Sequence, residues 1–143
     1  MKKIPVLLGF LIVTLAVGLV FSLSSFLTVK NRGTVKAVGI SIYEDAGCTV
    51  PLTEIDWGEV YPDSSFTYEA WLKNEGNVAV TVAMHTDNWV PDDAPLFMLL
   101  SWDGEGVVIE PSLTEYVVFT LTIYSNALIT DFSFDIHLVG SEV

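Results

Sequence analysis

The sequence predicts an all-β fold, two antiparallel sheets packed face to face, with one N-terminal hydrophobic helix ahead of them. Three observations predict it. After residue 36, apolar and polar residues alternate with period two, so each segment has one apolar and one polar face. Turn-forming clusters rich in Gly, Pro, Asn and Asp separate these segments at short intervals. No stretch of that region carries the apolar period of a helix of ordinary length.

Taken in order, AVGISIYED (37–45) places Val38, Ile40 and Ile42 on one face. A loop with Gly47, Cys48 and Pro51 follows. TEIDWGEVYPDSS (53–65) reads as a short strand that ends in a Pro-Asp-Ser turn. FTYEAWLKN (66–74) points Phe66, Tyr68, Ala70 and Leu72 inward and Trp71 and Lys73 outward. Asn74-Glu75-Gly76-Asn77 reads as a hairpin-type turn into VAVTVAMHTDNW (78–89). PDDAP (91–95) breaks the chain in about one helical turn. LFMLLSWD (96–103), EYVVFTLTIYS (115–125) and DFSFDIHLVG (131–140) complete about seven strands. Strand count and alternation together give a single immunoglobulin-like β-sandwich, with a small barrel as the competing architecture.

The leader is a different kind of sequence. Lys2 and Lys3 precede a run without charge from Ile4 to Val29. The strongest part, residues 4–21, lies between the length of a signal-peptide core and that of a membrane span. Residues 1–25 are therefore a cleaved signal peptide or a retained membrane anchor, with Ser22-Leu23-Ser24 as a small-x-small cleavage site. Residues 26–36 form a basic bridge, and residues 37–143 form the sandwich domain. The order basic, apolar, small-polar places the domain outside the cell or on the outer face of its membrane. Lys30, Arg32 and Lys36 beyond the apolar run weaken the inside assignment of the N-terminus.

Charge narrows the partners. All 18 acids lie at or after Glu44, and the only base after residue 36 is Lys73, so the domain carries 1 − 18 = −17. Such a surface repels a phosphate backbone, which excludes nucleic acid as a partner. The single cysteine, Cys48, permits no internal disulfide and no cysteine-based zinc site, and is expected to be buried. It also lies too far from any following His or Met for a blue-copper site.

No motif for nucleophilic, phosphate-binding, dinucleotide or zinc-protease chemistry is present, and the chain is expected not to be an enzyme. His85 and His137 each lie opposite the apolar face of a strand and read as exposed surface residues, with no metal assigned to them. Asp92, Asp93 and Asp103 are candidates for Ca²⁺ in oxygen-rich loops. None has EF-hand spacing, and solvated turn acids are the simpler reading. Trp57 and Trp102 are expected to cap the core. Trp71 is expected on an outer face, as a contact for a neighbouring subunit or a glycan.

One stretch carries a family resemblance. Asp56-Trp57-Gly58-Glu59-Val60-Tyr61-Pro62-Asp63-Ser64, followed by Lys73-Asn74-Glu75-Gly76-Asn77-Val78, resembles a pattern of secreted archaeal and bacterial immunoglobulin-like domains. That pattern reads W-G-x-hydrophobic-x-P-G-x-S, a strand, then N-x-G-N-x-x-x-T. Leu100-Ser101-Trp102-Asp103 and Glu110-Pro111 also fit it. Asp63 stands where the family often has Gly, and Ala79 near where it often has Pro. The whole layout resembles subunits of extracellular filaments, the archaeal threads and bundling pili and the TasA/camelysin-like matrix fibres. The resemblance implies a surface or filament subunit that associates with itself or with other surface proteins. It further implies a donor strand in residues 26–35, with Leu27 and Val29 filling pockets of the next subunit. The alternatives are a juxtamembrane linker or a first strand of the same domain. At the level of the whole protein, the alternative is a monomeric membrane-anchored binding or accessory module, with residues 4–21 in the membrane if uncleaved.

Overall fold

The computed structural model describes Gly33 and residues 38–143. The leader, the helix expected in it, and the candidate donor residues Leu27 and Val29 lie outside the described residues. Residues 38–143 belong to one compact unit.

The described residues are all-β, built from seven strands and one short 3₁₀ turn. The strands are β1 (Ile40–Tyr43), β2 (Ser64–Asn74), β3 (Val80–Val90), β4 (Met98–Trp102), β5 (Val108–Ile109), β6 (Thr114–Ile123) and β7 (Ser133–Glu142). They make two antiparallel sheets, in the orders β1-β2-β6-β4 and β5-β3-β7. The inner faces share one core, the arrangement of a β-sandwich. Among the described residues no helix is long and apolar enough to cross a membrane.

The core follows from the alternation. Ala70 and Leu72 of β2, Val80 and Val82 of β3, and Val117, Phe119, Leu121 and Ile123 of β6 are buried. Residues between them face out, as period two requires. Outer positions of the long β2–β6 ladder pair by side chain as well: Ser65 Oγ and Thr122 Oγ1 are 3.1 Å apart. Trp102 stacks on Phe119 at 5.7 Å and donates its indole N–H to Glu105 at 3.0 Å, so it caps the core with its polar atom satisfied. Trp57 also packs against the core.

Three strand-level expectations change. Residues 53–63 are not a strand. The Gly58 amide donates to Asp56 Oδ1 at 2.8 Å, and Gly58 (φ 62°) and Asp63 (φ 59°) are left-handed, a geometry incompatible with extended chain. At the φ of Asp63 a glycine would carry no strain. Second, Asn74–Asn77 is not a hairpin: β2 and β3 lie in different sheets, so this turn carries the chain across the sandwich. The side chain of Asn74 drives the crossing. It is fully buried, donates to the carbonyls of Val78 (2.7 Å) and Ile109 (2.9 Å), and accepts the Gly76 amide (2.9 Å). Third, the two-residue strand β5 between Gly106 and Pro111 is too short to show a period in sequence.

Candidate functional site

Three surface features stand out, and two of them meet on β7.

The first is a groove of about 1080 Å³ along one flank of the domain. One wall is the inner face of β7 and the residue before it, with Phe132, Phe134, Ile136 and Leu138 pointing inward as the alternation predicts. These side chains stay half-exposed rather than buried, because β7 ends its sheet. Among the described residues β7 pairs with β3 alone. The opposite wall is the irregular segment 52–62, and the floor reaches core residues Met98, Phe119 and Ile123. The rim is acidic, with Glu54, Asp56, Glu59 and Asp131 lining it.

The second is an aromatic row on the outer face of the larger sheet. Register places Tyr43, Trp71 and Tyr116 side by side across β1, β2 and β6. Trp71 is half-buried, its ring centroid 5.4 Å from that of Tyr116, and Tyr116 is 45% exposed. Trp71 is thus outward-facing, as expected, within a row rather than alone. Beside the row, Glu75 accepts from Lys73 Nζ at 3.0 Å and Tyr43 Oη at 2.9 Å. The lysine, then the tyrosine, hold the Glu75 carboxyl below its ordinary range, and the same contacts raise Lys73 and Tyr43. Lys73, the one base of the domain, is committed to this cluster.

The third was hidden in sequence. β3 carries His85-Thr86-Asp87 and β7 carries Asp135-Ile136-His137. Antiparallel register sets His85 directly opposite His137 and Asp87 directly opposite Asp135, all facing away from the core. The imidazoles stack at 4.8 Å with planes 13° apart. His137 Nε2 lies 2.8 Å from Asp87 Oδ1. Asn88, left-handed at φ 51°, opens a bulge after Asp87, and its Nδ2 donates to Asp135 Oδ2 at 2.8 Å. Both histidines are exposed, as expected; what the sequence reading lacked was their pairing. The mirrored spacing, His-x-Asp on one strand and Asp-x-His on another, was the available signal.

The calcium candidates are placed apart from this cluster. Asp103 Oδ1 accepts the Val118 amide at 2.7 Å, and Asp93 begins the 3₁₀ turn at Ala94–Leu96. The described residues hold no group of three potential metal ligands that includes Asp92, Asp93 or Asp103. Cys48 is a half-buried free thiol in a left-handed turn (φ 51°) rather than a core residue. Asp45 clamps that turn by accepting the amides of Val50 (2.8 Å) and Thr49 (2.9 Å) and the Thr49 hydroxyl (2.9 Å).

Comparison with family models, with curated proteins and with solved structures returns no match.

Proposed function

We propose that this chain is a non-enzymatic extracellular structural protein, a cell-surface or filament subunit with an immunoglobulin-like sandwich. In this reading it assembles by accepting residues 26–35 of a neighbouring copy in the groove beside β7, with the Tyr43–Trp71–Tyr116 row as a second, sheet-face contact.

The groove is the observation that supports this most. It leaves the inward-facing side chains of an edge strand half-exposed, which is the surface that strand addition covers. Residues 26–35 match it in three ways. At about 3.3 Å per residue, ten extended residues reach roughly 33 Å, the length of the ten-residue β7. Leu27 and Val29 alternate with Thr28, Lys30 and Arg32, so one face is apolar toward the core and the other basic. That basic face complements a rim with four acids.

The test compares the full-length chain with a version lacking residues 26–35 and with a Leu27→Asp/Val29→Asp double variant, by electron microscopy and sedimentation. Fibres or oligomers are expected only from the unaltered chain. A synthetic peptide of residues 26–36 is expected to bind the deleted chain and raise its melting temperature. Fibres that persist after the deletion, or a peptide that does not bind, sink the donor-strand reading. An unaltered chain that stays monomeric favours the anchored single-domain module instead.

A further inference from the structure

We infer that His85, Asp87 and His137 form a binding site for a divalent transition metal of the zinc and copper class, on the outer face of the β3–β7 ladder. The inference is independent of whether the groove accepts a strand.

Three observations carry it. The ligand atoms of the three side chains lie within 4.8 Å of one another, the one such group among the described residues. Metal–ligand bonds of about 2.1 Å put tetrahedral ligand atoms roughly 3.4 Å apart. The exposed imidazoles, stacked nearly parallel, turn out of the stack to aim their in-plane lone pairs at the ion. The donor set is two imidazoles and a carboxylate, which suits zinc or copper rather than calcium, with water completing the shell. Finally, Asp87 directly faces Asp135 across the ladder in a domain of net charge −17. Like charges directly opposed on a sheet destabilise it, and a dication between the strands reverses that sign. Asn88 anchors Asp135 from the bulge, holding a fourth oxygen-bearing group beside the set.

The placement has a mechanical meaning. One ligand pair comes from β3 and the other ligand from β7, the strand that also walls the groove. A bound ion therefore staples the edge strand to its neighbour, at the end where the ladder is interrupted by the bulge.

The experiment uses the tag-free full-length chain in detergent, stripped of metal, titrated with Zn²⁺ and with Cu²⁺ by calorimetry and by electron paramagnetic resonance. One ion per chain with micromolar affinity is expected. The Cu²⁺ spectrum should show coupling to two nitrogens. His85→Gln and His137→Gln should each lose about tenfold or more in affinity and one nitrogen coupling. Millimolar Ca²⁺ should not compete. A Cu²⁺ spectrum of the unaltered chain without histidine nitrogen coupling overturns the assignment. So does zinc binding that survives unchanged in the His85→Gln/His137→Gln double variant. The first result needs no variant to fold.

Discussion

Replacing Asn74 by Ala should be among the most damaging single changes in the domain. Its side chain makes three hydrogen bonds, to the Val78 and Ile109 carbonyls and from the Gly76 amide, in a fully buried position. At about 1 kcal/mol net per bond the loss is roughly 3 kcal/mol, before any cavity is counted. In a domain of this size each kcal/mol shifts the midpoint by about 4 °C, so the melting temperature should fall by about 12 °C. Asn74→Asp tests the polarity of the same site. A carboxylate still accepts the Gly76 amide but sets negative oxygen against two carbonyls at 2.7 and 2.9 Å. It should cost at least as much at neutral pH, and part of the loss should return on acidification, when the protonated acid can donate one bond. Urea unfolding followed by tryptophan fluorescence measures both variants. A loss below about 1 kcal/mol in each would refute the claim that Asn74 holds the crossing between the sheets.

Three further outcomes follow from particular contacts. Asp63→Gly should stabilise the domain by about 1 kcal/mol and Asp63→Ala should not, because only glycine adopts the left-handed turn at φ 59° without cost; paired melting curves decide. Gly140→Val should destabilise by about 1–3 kcal/mol, since a Cβ there would stand 2.7 Å from Ile40 Cγ1; Gly140→Ala should cost less, and equal losses would contradict the crowding argument. The Asp45 carboxyl is held below its ordinary range by the Val50 amide first and then by Thr49, which together outweigh its desolvation. With a folded value below the unfolded one, the clamp's contribution is complete above the ordinary aspartate range. It is lost as pH falls through the depressed value. Amide exchange at Thr49 and Val50 should accelerate only in that acid window, and Asp45→Asn should abolish the transition.

Most of the fold was legible because its physics is local. Val117, Phe119, Leu121 and Ile123 announce the inner face of β6 by spacing alone, and the same holds for β2 and β3. What sequence could not provide was partnership. The turn at Asn74–Asn77 has hairpin chemistry, yet a buried amide hydrogen-bonded to a carbonyl 35 residues away sends the chain to the other sheet. Segment 53–63 has strand-like composition, but two left-handed residues break it. The site was legible in the same partial sense. His85 and His137 were placed on outer faces correctly. Their meeting depends on the β3–β7 register, which brings Asp87 against His137, 50 positions later in the chain. The groove was invisible for a similar reason, since it arises from which strand ends a sheet.

The crossing at Asn74 has a consequence for when the domain can exist at all. Because β2 and β3 do not pair, the long ladder of β2 must wait for β6, and that of β3 for β7. Both long ladders are closed by strands from residues 114–143. Before residues 114–143 take part, only the short β1–β2 and β3–β5 pairings are available. Contacts this distant in sequence put folding in the range of about milliseconds to seconds. Most of the hydrogen bonding of both sheets is therefore gained late, when β6 and β7 join β2 and β3.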